Sequence, residues 1–157
     1  MYLDRSVFLR SNILIAIDGS EIGWKALNWA FKFAKSMGSD IVIIHVAPPG
    51  FTIKQVVNAT CEAPISIVPE PPECVKERIL KVLEVLEEAR RRAEEVGLKV
   101  DFVLRHGDPS REIVKETSKG YSLVIIGHRG FSKHRFGLGS IAEKIVREAQ
   151  CSVFVVK

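Results

Sequence analysis

The fold is decided by the stretch Leu123-Val124-Ile125-Ile126-Gly127-His128-Arg129-Gly130, which is followed after eight further residues by Gly139-Ser140. The apolar run at its start predicts a buried strand, and residues 141–148 predict a helix. Glycines between them let the backbone approach an anion, and the helix start offers unpaired N–H groups and a positive dipole end. We expect Gly130 to combine a positive φ with close approach to phosphate. No Gly-Lys-Ser/Thr ends the motif, so it predicts a phosphate loop other than the P-loop.

Apolar runs and amphipathic stretches alternate along the rest of the chain. Strands are predicted at residues 13–17, 41–46, 100–104, 123–126 and 153–156, and helices at residues 21–37, 75–96, 111–119 and 141–148. Runs that are apolar throughout indicate strands buried on both faces. We therefore predict an open, doubly wound, Rossmann-like α/β fold. Its five-stranded parallel sheet has the strand order 3-2-1-4-5, with helices on both faces.

Two loops of the predicted sheet face each other across a crevice. Ligands of such sheets bind outside the carboxyl ends of the strands where the winding reverses, here between strands one and four. Asp18 ends strand one and Gly127 ends strand four. Helix capping is the competing explanation, because Asp18 with Glu21 fits a capping box with Asp18 as the N-cap. Ser140 with Glu143 fits another capping box at the start of the last helix. The switch-point position favours a role for Asp18 in binding a ribose or a metal.

Three further features lie near the predicted crevice. His45 lies inside an apolar strand and is expected to be a core histidine with its hydrogen bonds satisfied. Basic residues crowd the loop after strand four and raise the local potential for an anion: Arg129, Lys133, His134 and Arg135. Residues 48–72 hold six of the seven prolines, which excludes a regular element. This long loop is explained equally well as a lid over the crevice or as a flexible insertion.

The overall composition restricts the class of function. The chain has 157 residues, 46% of them hydrophobic, which suits a single domain over residues 1–157. Its net charge of +4 is compatible with an anionic ligand. Basic and acidic residues are interspersed, as at Arg90-Arg91-Arg92 among glutamates, so we expect no nucleic-acid partner. Without a membrane-length apolar run or a secretory leader, we expect no membrane contact and a cytoplasmic location.

The combination of motifs resembles the universal stress protein family from Ile13 to Val156. The last motif below is similar to the ATP-binding signature Gly-x2-Gly-x9-Gly-Ser/Thr of the family's nucleotide-binding branch. The matching pieces are Ile13-Leu14-Ile15-Ala16-Ile17-Asp18-Gly19-Ser20, His45-Val46, Gly107-Asp108-Pro109 and Gly127-x2-Gly130-x8-Gly139-Ser140.

This resemblance implies ATP, or ADP or AMP, at the switch point. Asp18 would lie toward the ribose and phosphates and could help to hold Mg²⁺, and Val46 would lie beside the adenine. The implied nucleotide-binding residues are Ala16, Asp18, Val46, Ile126, Gly127, Arg129, Gly130, Gly139, Ser140 and Ile141. Family members are typically dimers, so a homodimer through residues 152–157 is expected. The implied function is that of a stress-response regulator that acts through conformation or partner binding.

Two departures from the family pattern keep alternatives open. The spacer has eight residues rather than nine, with Gly137 where a bulky apolar residue is usual, and Ala16 stands where proline is frequent. The short spacer favours a nucleotide-free dimerisation or interaction module of the same fold. A third hypothesis is an adenylyl-transferring enzyme, of whose loop Asp18-Gly19-Ser20-Glu21 is a poor version. No committed catalytic apparatus is recognisable, so we expect at most slow ATP hydrolysis.

Overall fold

The computed structural model describes residues 12–47, 73–131 and 137–157. The strands are β1 (Ile13–Ala16), β2 (Ile41–Ala47), β3 (Val100–His106), β4 (Leu123–Gly127) and β5 (Ser152–Val156). The helices are α1 (Glu21–Met37), α2 (Glu73–Glu95), α3 (Pro109–Thr117) and α4 (Ser140–Glu148). The predicted loop at residues 48–72 and the basic residues 133–135 lie outside the described residues.

The five strands form one parallel sheet in the order β3-β2-β1-β4-β5, which confirms the predicted fold. Ile13 of β1 is in register with Ile41 of β2 on one side and with Leu123 of β4 on the other. The winding therefore reverses between β1 and β4. β5 pairs with β4 and ends the sheet on that side within the described part of the chain.

Successive residues of the central strands face opposite helical layers. Ile15 packs in one apolar cluster with Leu27 of α1 and with residues of α2. Leu14 packs in a second cluster with Ile113 of α3 and Ile145 of α4. Each of these side chains is almost fully buried, and full burial of an aliphatic side chain stabilises the fold by about 1.5–3 kcal/mol. Helices cover both faces of the sheet for this reason.

Helices α1 and α3 begin with side-chain caps. Ser20 is the N-cap of α1, and its hydroxyl accepts from the Gly23 amide at 3.1 Å. The predicted capping box with Asp18 as N-cap is therefore wrong, because Asp18 lies two residues further from the helix and accepts from the Ser20 amide at 2.9 Å. Asp108 caps α3 and Pro109 is its first residue, positions that both residue types favour.

The arginine run of α2 is paired with glutamates of the same helix. Glu88 accepts from Arg91 at 2.8 Å and from Arg92 at 2.7 Å. These hydrogen bonds lower the pKa of Glu88 to about 2. The arginine run is thus paired with acids of its own helix, as the sequence predicts.

Of the helices within the described ranges, none has the length and apolarity that crossing a membrane requires.

Candidate functional site

A cleft of about 710 Å³ opens at the carboxyl edge of the sheet, where β1 and β4 end. Strand ends form its floor, and the first turns of α3 and α4 form part of its walls. The structure brings together here all ten residues that were predicted from four separate segments. They are Ala16, Asp18, Val46, Ile126, Gly127, Arg129, Gly130, Gly139, Ser140 and Ile141.

Gly130 lies against the carboxylate of Asp18. A Cβ atom at residue 130 would overlap Asp18 Oδ2, so any side chain there requires the Asp18 carboxylate or the loop to move. Gly130 is not among the described glycines with positive φ, so the expectation of a positive φ is wrong. Glycine is favoured at residue 130 because a side chain has no room beside Asp18, rather than because of the backbone conformation. Gly127 is similarly restricted, since a Cβ there would lie 2.8 Å from Ile22 Cγ2.

The start of α4 has no side-chain cap. Its N-cap is Gly139, which cannot supply one, and Ser140 is the first helical residue. The predicted capping box of Ser140 and Glu143 is therefore wrong, because the hydroxyl lies one position too late. The Gly139 amide donates to His128 O at 2.8 Å, and the Glu143 amide donates to Gly139 O at 2.8 Å. The backbone amides of residues 140–142 come between these two donors along the chain. All three residues line the cleft, so a ligand there can reach their amides.

Arg129 is hydrogen-bonded to Gly137, two residues before the N-cap of α4. Its Nε and Nη2 donate to Gly137 O at 3.1 and 2.9 Å. Gly137 has a φ of 82°, a conformation that favours glycine, which explains why a bulky residue is absent there. Among the described residues that line the cleft, Arg129 is the one cation.

His45 supports the floor of the cleft from within the core. It is 8% exposed, and its Nδ1 donates to Ile17 O at 2.9 Å. Burial lowers its pKa below the ordinary value of 6.5, although the hydrogen bond to Ile17 and the charge of Asp18 oppose the shift. The uncharged imidazole therefore holds the chain just before Asp18. The prediction of a satisfied core histidine is confirmed.

Sequence reasoning missed the apolar wall that α3 contributes. Pro109 and Ile113 line the cleft, and Ile113 packs in one apolar cluster with Ile145, which also lines it. The available signal was positional, because a helix that follows β3 begins at the same edge of the sheet. Phe131 and Leu138 at the rim, 74% and 38% exposed, were also missed.

Acidic groups are sparse around this cleft. Asp18 is the one carboxylate among its described lining residues. In the described parts of the chain, no three His, Cys, Asp or Glu side chains are grouped so that they could hold a metal ion. A divalent cation beside Asp18 would need further oxygen ligands from a bound molecule.

The fold and the cleft define a class: open, doubly wound α/β proteins with a glycine loop at the switch point. The chain belongs to the universal stress protein family, whose model matches residues 10–157. It is 31% identical over 149 residues to universal stress protein YxiE of Bacillus subtilis, covering 94% of this chain and 99% of the relative. Universal stress protein UspA from Lactobacillus plantarum has a similar fold, with a TM-score of 0.72, 18% identity and coverage of 94% and 98%.

Three similar structures are nucleotide complexes. A family protein from Arabidopsis thaliana has AMP bound, and matches with a TM-score of 0.64, 20% identity and coverage of 94% and 91%. The universal stress protein from Archaeoglobus fulgidus is in complex with dAMP, with a TM-score of 0.65, 19% identity and coverage of 96% and 100%. Another universal stress protein is in complex with cAMP, with a TM-score of 0.65, 19% identity and coverage of 94% and 97%.

Proposed function

We propose that this protein binds an adenine nucleotide in the cleft and acts as a cytoplasmic regulator through nucleotide occupancy. The observation that carries the proposal is that the cleft has two kinds of lining. The glycine loop, Arg129 and the uncapped start of α4 form what we call the polar end, and a cluster of aliphatic side chains forms the apolar end. The AMP, dAMP and cAMP of the similar structures support the ligand class.

The polar end suits phosphate groups. The uncapped start of α4 offers amides and a dipole worth about 0.3–1 kcal/mol per neighbouring charge, and up to about 2 kcal/mol when partly buried. Gly127 and Gly130 have no side chain to separate a ligand from the backbone. Arg129 can exchange its bond to the neutral Gly137 carbonyl for a stronger, charge-assisted bond to phosphate. These groups lie close together, since a Cβ built at Gly139 would lie 3.8 Å from Arg129 Cγ and one built at Gly127 would lie 3.0 Å from Arg129 O.

Asp18 orients the ligand by repulsion as well as by attraction. Its carboxylate repels phosphate, but accepts hydrogen bonds from the hydroxyls of a ribose. We therefore assign the ribose to the Asp18 side and the first phosphate to the side of Arg129 and α4. Because carboxylate and phosphate oxygens both ligate Mg²⁺, this cation would offset the repulsion of a longer phosphate chain. ATP with Mg²⁺ is the form we propose, with ADP and AMP as the shorter ligands to compare.

The apolar end suits a flat base. The side chains there are aliphatic and come from the sheet and from α3 and α4: Ile44, Val46, Ile113, Ile126 and Ile145. Aliphatic side chains contact the faces of an adenine ring, whereas its polar edge needs backbone partners. Val46, near the end of β2, is the proposed neighbour of that edge.

Titration calorimetry with AMP, ADP and ATP, each with and without Mg²⁺, tests the proposal. We expect affinity in the micromolar range, with Mg²⁺ strengthening the binding of ATP. Arg129→Ala should weaken binding at least about tenfold through loss of a charge-assisted bond. Arg147→Ala is the matched control, because Arg147 pairs with Glu148 at 3.2 Å and is exposed. Mass spectrometry of the gently denatured protein should detect a co-purified nucleotide.

The alternative function is a nucleotide-free interaction module. The eight-residue spacer and the bond from Arg129 to Gly137 favour it, because the protein itself already occupies the guanidinium. Absence of heat and of any melting-temperature shift with all three nucleotides at millimolar concentration would establish this alternative.

We also propose that two copies associate through β5, residues 152–157. Val156 O faces β4, where it accepts from the His128 amide. Because backbone groups alternate along a strand, the Val155 amide faces the free edge. Phe154 of this strand belongs to an aromatic group with two residues of α1. The centroid of its ring lies 5.0 Å from that of Phe33 and 5.6 Å from that of Trp29. Trp29 is itself 41% exposed.

Sedimentation at tens of micromolar protein tests the dimer. Val155→Pro should shift the equilibrium to monomer, because proline removes the amide that an antiparallel ladder requires. Val155→Thr, which keeps the amide and the β-branched shape, should leave the dimer intact. A stable wild-type monomer, or a dimer unaffected by proline, would exclude pairing through β5.

A further inference from the structure

His128 joins three elements at the polar end of the cleft. Its backbone amide and its Nδ1 both donate to Val156 O, at 2.7 and 3.0 Å. A carbonyl oxygen only accepts, so Nδ1 carries the proton in this contact. The His128 carbonyl accepts from the Gly139 amide at 2.8 Å. One residue thus connects the end of β4, the end of β5 and the N-cap of α4.

We propose that His128 is a positioning residue of the nucleotide site that couples its occupancy to the C-terminal end of β5. The inference rests on the proposed nucleotide binding. His128 itself is not among the residues that line the cleft, whereas its neighbours Gly127 and Arg129 are. It therefore acts through the loop that it holds.

The coupling follows from shared hydrogen bonds. A ligand held by the glycine loop and by the start of α4 resists displacement of His128, because His128 is bonded to Gly139. Opening the end of β5 breaks the bonds from His128 to Val156 O and frees the loop. A ligand that binds only the closed arrangement must therefore make this opening rarer. For a tightly coupled opening, ligand at about 100 times its Kd slows amide exchange by about 100-fold.

Residue-resolved amide exchange by NMR, with AMP as the probe, tests the coupling. The readouts are the His128 amide and the Phe154 and Val156 amides, which face β4, without AMP and at saturation measured by calorimetry. In the wild type, AMP should slow these amides about tenfold or more. His128→Ala should still bind AMP but lose most of this ligand-dependent slowing. His128→Asn should restore it, because an asparagine amide nitrogen can occupy the place of Nδ1.

His106→Ala is the control, since His106 ends β3 at the same edge of the sheet and lies outside the cleft. A merely structural His128 would, on mutation to alanine, speed exchange equally with and without AMP and leave the ligand-dependent ratio unchanged. That result, or a wild-type protein that binds AMP without slowing β5, overturns the coupling while nucleotide binding stands. Absence of AMP binding in the wild type overturns both.

Discussion

Two connections from a strand to a helix border the cleft, and their helices begin in opposite ways. After β1, the hydroxyl of Ser20 caps α1 by accepting from the Gly23 amide at 3.1 Å. After β4, the N-cap of helix α4 is Gly139, which has no side chain to act as a cap. Each helix start carries backbone amides without an intrahelical partner. The protein satisfies one of these at α1 with its own side chain, whereas those at α4 remain available to a ligand.

The charges beside the two helix starts follow the same division. Asp18 lies beside the capped start, where its carboxylate would repel an anion. Arg129 lies beside the uncapped start, where its guanidinium would attract one. Capping and charge therefore favour the same orientation of a bound nucleotide, with phosphate at α4. Substitutions that exchange the properties of the two starts test this difference.

The largest effect is expected at Gly130, where the two connections touch. Gly130→Val should abolish nucleotide binding while the fold survives, because a branched side chain would displace the loop from Asp18. Calorimetry should show affinity lowered at least about 100-fold, or about 2.7 kcal/mol, and circular dichroism should be unchanged. Unchanged affinity in a folded variant would show that the phosphate loop lies elsewhere.

A double-mutant cycle tests whether the contact with Asp18 is the reason that residue 130 must be glycine. Gly130→Ala should destabilise the wild type but have a smaller effect in an Asp18→Ala background, where no carboxylate meets the new Cβ. Equal effects in both backgrounds, measured by urea unfolding, would assign the cost to the backbone instead.

Aspartate placed at each N-cap should distinguish the two helix starts. Gly139→Asp should lower nucleotide affinity about tenfold or more, since a carboxylate there satisfies the amides and repels phosphate. Ser20→Asp should change the affinity less than about twofold, because α1 is already capped. Gly139→Ala controls for the added Cβ, which would lie 3.2 Å from His128 O. A greater loss of affinity in Ser20→Asp would reverse the proposed orientation.

Removing the existing cap should reduce stability more than binding. Ser20→Ala is expected to lower the free energy of unfolding by about 1 kcal/mol. Nucleotide affinity should remain nearly unchanged, because the lost bond lies within α1. Urea unfolding and calorimetry on the same samples measure both quantities. Ser20→Thr, which keeps a hydroxyl, should recover most of the stability.

The smallest effect is expected at His45, whose Nδ1 donates to the carbonyl of Ile17, the residue before Asp18. The pKa of His45 is lowered in the folded protein, so the unfolded chain binds more protons between the folded pKa and about 6.5. The contribution of His45 to stability is thus complete above pH 6.5 and is lost as the pH falls through the interval below it. His45→Asn, which can still donate to Ile17 O, should show a shallower decline of unfolding free energy between pH 7 and 5. Parallel curves would exclude this group as a cause.

The sequence by itself determined the architecture, because that part depends on general rules. Apolar runs and helical spacing located the strands and helices, and α1 spans Glu21–Met37 as predicted. Right-handed crossovers then determined the strand order, and the strand order brought Asp18 and Gly127 to one edge. The combination of motifs indicated the family, since the residues of each motif lie close together in the chain.

Only the tertiary structure decided which groups satisfy the free backbone amides at the two helix starts. Asp18 fits a local capping pattern, yet Ser20 is the N-cap of α1, because packing against the sheet decides where the helix begins. The fit of Gly130 against Asp18 joins residues more than a hundred positions apart. The bonds from His128 to Val156 O depend on the register of β4 with β5. Contacts such as these depend on the assembled sheet, because no local pattern specifies which distant atoms will meet.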